Sequence, residues 1–152
     1  MSRFLKQWGP VILWAAFIFA SSTDAYSASN TSIFFRPLAL WMFPGASPKL
    51  VEGAHRFARK LGHFNDYFVL SYLLMRALRG EKRGAWKWRW AVCTLFTVWI
   101  YALADEFHQS FVPSRTPLLS DVWLDCFGGS CSVFFRYVQS KSRTWSCARE
   151  PN

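Results

Sequence analysis

Side chains able to do acid–base or binding chemistry are concentrated in three short stretches of the sequence. Paired carboxyl groups can share general acid and base roles, or hold Mg²⁺ or Mn²⁺, which prefer oxygen ligands. An arginine beside them can bind an anionic phosphate. Zinc is less suited, because His55, His63 and His108 lack a compact spacing. The candidate site residues are His63, Asp66, Asp105, Glu106, Gln109, Arg115, Asp121 and Asp125.

Helical spacing predicts which of these side chains share a face. Asp105 and Gln109 are four residues apart, as are Asp121 and Asp125, so each pair stacks on one side of a helix. Ser120 is a candidate N-cap for the second of these helices. The pair at 128–129 is Gly-Gly, which predicts that another helix backbone approaches closely just below the two carboxylates.

The composition indicates a single membrane domain over residues 1–152. Of the 152 residues, 52% are hydrophobic and 19% aromatic, which excludes a disordered chain. Four apolar runs predict an all-α, four-helix transmembrane bundle. A shorter run at 32–43 contains Arg36 and Pro37 and predicts an interfacial or re-entrant helix between spans one and two. The predicted spans are about 8–21, 61–78, 88–105 and 121–138, followed by a basic tail at 139–152.

Residues 1–28 have an alternative interpretation as a cleaved signal peptide, because Arg3 and Lys6 precede a short apolar run followed by small residues. Pro10, Trp8 and Trp14 are unusual in such a segment. Removal of this segment would also leave three spans, with the two termini on opposite faces of the membrane.

The charge distribution predicts how the bundle is oriented. The net charge is +9, and twelve of the 18 Lys and Arg residues lie in segments that a four-span topology places on one side. The positive-inside rule therefore predicts a multi-pass protein of the inner (cytoplasmic) membrane with both termini cytoplasmic. Seven of the nine acidic residues then lie outside or at the outer ends of spans. A nucleic-acid partner is not expected, because the basic residues flank apolar helices and do not line one soluble face.

Three motifs resemble those of the VanZ-like family of small integral membrane proteins. They are K-x-x-H-F-x-D-Y from Lys60 to Tyr67, D-E-x-x-Q from Asp105 to Gln109 with a following Arg115, and D-x-x-x-D from Asp121 to Asp125 with a following glycine. Ser21 and Ser22 also resemble the end of the family's first helix. The family takes its name from a protein associated with low-level resistance to the glycopeptide teicoplanin, so the resemblance implies a cell-envelope protein with a link to antibiotic resistance.

Three functional hypotheses remain open from the sequence. In the first, an outward-facing polar site binds or chemically modifies a lipid headgroup or lipid-linked glycan, with or without a divalent cation. In the second, the polar cluster is a structural network that orients the helices, and the protein acts by binding a lipid, drug or partner protein. The third is transport, for which four short helices would require an oligomer. Neither the substrate nor enzymatic activity follows from the residues.

Overall fold

The computed structural model describes residues 2–23, 28–80, 86–113 and 117–147, with the side chains at 28–29 and 143–147 excepted. All regular structure in these ranges is helical, which confirms the all-α class. The five helices are α1 (Arg3–Ser21), α2 (Ala28–Met42), α3 (Pro48–Arg79), α4 (Trp88–Gln109) and α5 (Leu119–Cys147).

The third helix is longer than the predicted span at 61–78. Its start is defined by Ser47, whose hydroxyl accepts a hydrogen bond from the Leu50 amide at 3.3 Å, and by Pro48 in the first turn, where no amide donor is needed. Its end is defined by Gly80, whose φ of 59° suits a residue without a side chain. The 32 residues of α3 extend about 48 Å, so the predicted span is only its apolar C-terminal half.

The apolar run predicted as a short helix at 32–43 lies in α2, which begins earlier, at Ala28, and passes through Pro37. It packs against the N-terminal half of α3. The Thr31 hydroxyl lies 3.1 Å from His55 Nε2, and the Phe35 and His55 rings are 4.8 Å apart. Burial, and secondarily the charge of Arg59, lower the pKa of His55. The position of α2 relative to a membrane stays a prediction.

Two helices in the described part of the chain, α1 and α4, are long and apolar enough to cross a membrane. The apolar half of α3 contains Asp66 and Arg76, and α5 contains Asp121, Asp125 and Arg136, which reduce the mean hydropathy of both. Helix composition therefore supports two of the four predicted spans, and the four-span arrangement stays a prediction.

Helix α3 is the centre of the structure, because it packs against each of the other four helices. Polar groups reinforce this packing between helices. The Trp14 indole donates to the Asp66 carbonyl at 2.9 Å, the Tyr101 hydroxyl donates to the Ala15 carbonyl at 2.7 Å, and the Ser71 hydroxyl donates to the Gly129 carbonyl at 2.9 Å. These bonds connect α1 to α3, α1 to α4, and α3 to α5. The apolar core between the helices is Val11, Ile18, Tyr67, Leu70, Leu74, Ala77, Val98, Ala102 and Val122.

The glycine pair in α5 allows the close helix contact that the sequence predicts. A Cβ added at Gly128 would overlap the backbone oxygen of Phe64 in α3, and one added at Gly129 would lie 2.9 Å from Val98 Cγ1 in α4. Helix α5 therefore packs directly on the backbone of α3, and this contact fixes the axial position of Asp121 and Asp125.

Basic and aromatic residues meet at the end of the structure opposite these carboxylates. The Arg76 guanidinium donates to the Lys6 carbonyl at 3.3 Å, which places the beginning of α1 beside the end of α3. Trp86 and Trp88 pack on Tyr137, with ring centroids 5.3 and 5.7 Å away. The basic residues at 82–83 and 149 lie outside the described residues. Among the described basic residues, Lys6, Arg76 and Arg136 lie at this end, whereas Arg59 and Lys60 lie near the carboxylates.

We expect Gly128→Ala to lower the free energy of unfolding by about 1 to 3 kcal/mol, because the added methyl group must push α5 away from the α3 backbone. Gly53→Ala is the matched control, since nothing lies within 4 Å of a Cβ at this helical position, and alanine favours helix by about 1 kcal/mol. Thermal unfolding of the purified protein in detergent would measure both. Equal unfolding temperatures for the two variants would contradict the close contact.

Candidate functional site: a polar pocket between α1, α3 and α4

A partly open cavity of 130 Å³ lies at the end of the structure where α1 ends and the apolar half of α3 begins. Three helices contribute to it, and its lining combines hydroxyl, basic and acidic groups. The lining residues are Ile18, Ser21 and Ser22 from α1, Arg59, Gly62, His63, Asp66 and Tyr67 from α3, and Asp105 from α4. Three of the predicted site residues, His63, Asp66 and Asp105, therefore meet in one pocket.

Asp105 is the acidic group that α4 contributes. Asp105 is only 4% exposed, and its Oδ2 accepts a hydrogen bond from Gln109 Nε2 at 3.2 Å. This confirms the predicted contact between residues four apart. The hydroxyl of the fully buried Tyr67 lies beside the Asp105 carboxyl. The acidic wall of the pocket therefore consists of Asp66, Asp105 and the Tyr67 hydroxyl.

Asp125 of α5 lies behind the pocket wall and not in its lining. It is 0% exposed, and its Oδ1 is 3.7 Å from His63 Nδ1, too far for a hydrogen bond but within the range of an ion pair if the imidazole is protonated. The axial position of this carboxylate follows from the Gly128 contact one turn further along α5. Asp125 therefore faces His63, which itself reaches the pocket.

Asp121 closes the outer end of the contact between α3 and α5. Its Oδ1 is 3.4 Å from Lys60 Nζ and 3.2 Å from the Ser120 hydroxyl. Helix α5 begins at Leu119, so Ser120 lies in the first turn and not at the predicted N-cap. Burial lowers the pKa of the neighbouring Arg59 guanidinium from its usual value, and the Asp121 carboxylate opposes that shift. Asp121 thus balances two basic groups of α3.

Glu106 anchors the connection between α4 and α5. Its Oε2 accepts a hydrogen bond of 2.9 Å from the backbone amide of Leu118, twelve residues away, next to the first residue of α5. The residue is buried, as is Gln109. A carboxylate near the N-terminus of a helix is also favoured by the helix dipole. The described contact of Glu106 is therefore structural.

The eight predicted site residues separate into four groups. His63, Asp66 and Asp105 line the pocket, and Asp125 faces His63 from behind. Glu106, Gln109 and Asp121 make contacts within or between helices. Arg115 lies outside the described residues. The sequence analysis did not place Arg59, Ser21 or Ser22 in the site, although Arg59 lies four residues before His63 and seven before Asp66, on the same helix face.

The described carboxylates do not form a metal-binding group. Nowhere in the described ranges do three His, Cys, Asp or Glu side chains converge closely enough to hold a metal ion. The described residues therefore offer no set of ligands for the Mg²⁺ or Mn²⁺ ion that the sequence suggested. The pocket is instead suited to a small ligand that forms hydrogen bonds and ion pairs.

The fold and the pocket define an all-helical protein with apolar outer helices and a polar site at one end. Residues 8–138 match the family model described as VanZ/LLP1, which covers most of the chain. The protein belongs to this VanZ-like family, as the three motifs suggested. Searches of curated proteins and of solved structures each gave no significant match.

We expect Glu106→Ala to lower the free energy of unfolding by about 1 to 3 kcal/mol, because the Leu118 amide would lose the acceptor that the buried Glu106 side chain supplies. Glu106→Gln retains a carbonyl oxygen at this position and should be less destabilised. Glu52→Ala is the control, since Glu52 forms only an exposed ion pair with Arg56 and its loss should change stability by less than about 0.5 kcal/mol. If Glu106→Ala unfolds at the wild-type temperature, the anchor is not structural.

Proposed function

We propose that this chain is a four-span protein of the cytoplasmic membrane whose outward-facing pocket binds a lipid headgroup or the phosphate-bearing end of a lipid-linked glycan. The observation that carries the proposal is that Arg59, His63, Asp66 and Asp105 line one cavity at the end of helices with apolar outer faces. The family membership supports a cell-envelope protein. The membrane arrangement, its orientation and the class of ligand each have separate support.

The exposed apolar side chains support a membrane environment for more than the two most apolar helices. Leu13 in α1 is 73% exposed, Phe96 in α4 is 61% exposed and Phe134 in α5 is 66% exposed. Water-soluble monomers rarely expose so many large apolar groups, whereas a lipid-facing surface requires them. Ser71 of α3 and Asp125 and Ser132 of α5 are completely buried in the interior of the bundle, where a membrane protein tolerates polar groups. This distribution is what two further spans, 61–78 and 121–138, would require.

The arrangement of the helix ends supports an orientation with both termini in the cytoplasm. The Arg76 guanidinium, near the end of α3, contacts the Lys6 carbonyl at the start of α1, and the Arg136 guanidinium of α5 lies 4.7 Å from the Tyr72 ring centroid of α3. By the positive-inside rule this basic end faces the cytoplasm. The pocket then faces the opposite side, where the headgroups of the outer leaflet lie.

The structural-network hypothesis accounts for part of the cluster only. It explains Glu106, Gln109 and Asp121, which bind other protein groups. It does not explain why Arg59, Asp66 and Asp105 line a partly open cavity, because a structural set of charges does not need a space beside it. Ligand binding supplies a role for these groups, and the proposal does not require a chemical reaction.

We expect the purified protein to retain about one lipid or lipid-linked glycan per chain after mild delipidation, because a pocket ligand exchanges more slowly than annular lipid. Asp66→Asn and Asp105→Asn should lose this ligand while remaining at wild-type abundance in the membrane, since asparagine preserves the shape of each side chain. Mass spectrometry of extracted lipids, normalised to protein, would measure the retention.

Glu52→Gln is the matched control, because Glu52 lies on α3 but is exposed and outside the cavity.

Resistance to a glycopeptide is a second measurement, because the family is linked to teicoplanin resistance. Expression of the wild type and of Glu52→Gln should raise the minimal inhibitory concentration of teicoplanin, and expression of the two pocket variants should not. Equal lipid retention by the pocket variants and the wild type would contradict the proposal and support the structural hypothesis.

A further inference from the structure

The pocket has basic and acidic groups at different levels along α3. Arg59 precedes Asp66 by seven residues, so the two side chains share a face of the helix and their Cα atoms are about 10 Å apart along its axis. Gly62 lies between them and leaves this part of the wall without a side chain. Asp105 of α4 lines the same cavity as Asp66. A ligand that contacts both levels must carry opposite charges at its two ends.

The acidic level has the hydrogen-bonding groups that a primary ammonium requires. Asp105 and Tyr67 are buried and line the cavity, and the Tyr67 hydroxyl lies beside the Asp105 carboxyl. The Asp66 carboxyl is half-buried at the same site. An ammonium group has three N–H donors and no acceptor, which matches a site with two carboxylates and a hydroxyl oxygen. It also supplies the positive charge that offsets two carboxylates brought together in an apolar environment.

The basic level is suited to a phosphate. The planar guanidinium of Arg59 can form two parallel hydrogen bonds to phosphate oxygens, and His63 beside it can donate a further one. Asp121 lies near both Lys60, at 3.4 Å, and Arg59, but only Arg59 lines the cavity. Arg59 is therefore the basic side chain of the pocket that would define the position of an anionic group.

The size of the cavity limits the ligand further. Its volume of 130 Å³ is well below the range of about 300 to 1,000 Å³ that is usual for pockets enclosing drug-sized molecules. A sugar chain does not fit inside it, whereas a short two-carbon link between a phosphate and an amine does. The remainder of a larger molecule must lie outside the cavity.

We propose that the pocket binds the phosphoethanolamine group, with its ammonium against Asp66 and Asp105 and its phosphate beside Arg59. This inference rests on the proposed function and specifies its ligand. The shared chemistry occurs in a phospholipid headgroup and in free O-phosphoethanolamine. The ammonium enters first and lies deeper than the phosphate, because Asp66 follows Arg59 along α3 towards the apolar half of the helix.

The test compares probes that differ only in the headgroup. The delipidated full-length protein in detergent is titrated with dioctanoyl phosphatidylethanolamine, phosphatidylcholine and phosphatidylglycerol, and binding is followed by native mass spectrometry. We expect phosphatidylethanolamine to bind about tenfold more tightly than the other two, since choline has no N–H donor, glycerol has no charge, and one charge-assisted hydrogen bond contributes about 1.5 to 3 kcal/mol. Soluble O-phosphoethanolamine is then added as a competitor. If it displaces phosphatidylethanolamine, the headgroup alone is sufficient for binding. If it does not, but the protein still prefers phosphatidylethanolamine to the other two lipids, the site recognises the whole lipid.

Variants connect this preference to the proposed contacts. Asp105→Asn should reduce the preference for phosphatidylethanolamine over phosphatidylglycerol about tenfold, and Arg59→Gln should weaken both lipids. Asp66→Asn is a second acidic variant in case Asp105→Asn unfolds, and Arg56→Gln is the control because Arg56 is exposed and outside the cavity. Equal binding of phosphatidylethanolamine and phosphatidylglycerol, with loss of both in Arg59→Gln, would overturn this inference and leave the proposed function intact. Absence of binding by every lipid would overturn both.

Discussion

The contact between the backbones of α3 and α5 at Gly128 determines where the carboxylates of α5 lie beside the basic groups of α3. Because no Cβ separates the two helices at this point, α5 rests directly on the Phe64 carbonyl of α3. Asp125, one turn earlier in α5, is thereby placed 3.7 Å from His63 of α3. Asp121, two turns earlier, is placed 3.4 Å from Lys60. A sideways or axial shift of α5 would leave Asp125, which is completely buried, without a basic group nearby. The close helix contact at Gly128 is thus what allows Asp125 to be buried beside His63.

The cost of burying carboxyl groups explains how the cluster is divided. Charges in an apolar interior are tolerated only when other groups compensate them. Glu106 is compensated by a backbone amide, Asp121 by Lys60 and one oxygen of Asp105 by Gln109. Asp66 and Asp105 line the cavity, whereas Glu106 and Asp121 do not. This difference separates the structural part of the cluster from the part available to a ligand.

Much of the fold follows from local sequence patterns, and the pocket does not. The four-residue spacing of Asp105 and Gln109 was sufficient to predict that they share a helix face, and Gly128 and Gly129 predicted a close helix contact. The long polar start of α3 was missed, because only apolar runs were treated as helices, although Ser47 and Pro48 are a helix-start signal and Val51 and His55 are buried four residues apart. Arg59 was missed for the same reason, although its spacing places it on one face with His63 and Asp66. The participation of Ser21 and Ser22 depends on how α1 packs across α3, and the contact of Glu106 with Leu118 depends on the path of a connection. Residue spacing within one helix encodes neither of these two contacts.

The central claim is that side chains from three helices form one water-accessible pocket on the outer side of the membrane, and cysteine labelling in intact cells tests it most directly. In a background in which the native cysteines are replaced by serine, a single cysteine is introduced at Ser21, at Gly62 or, as a lipid-facing control, at Phe134. The account predicts that a membrane-impermeant thiol reagent applied from outside labels the cysteines at 21 and 62 and leaves the cysteine at 134 unlabelled. Labelling of positions 21 and 62 only from the cytoplasmic side, or of only one of the two from outside, would contradict it.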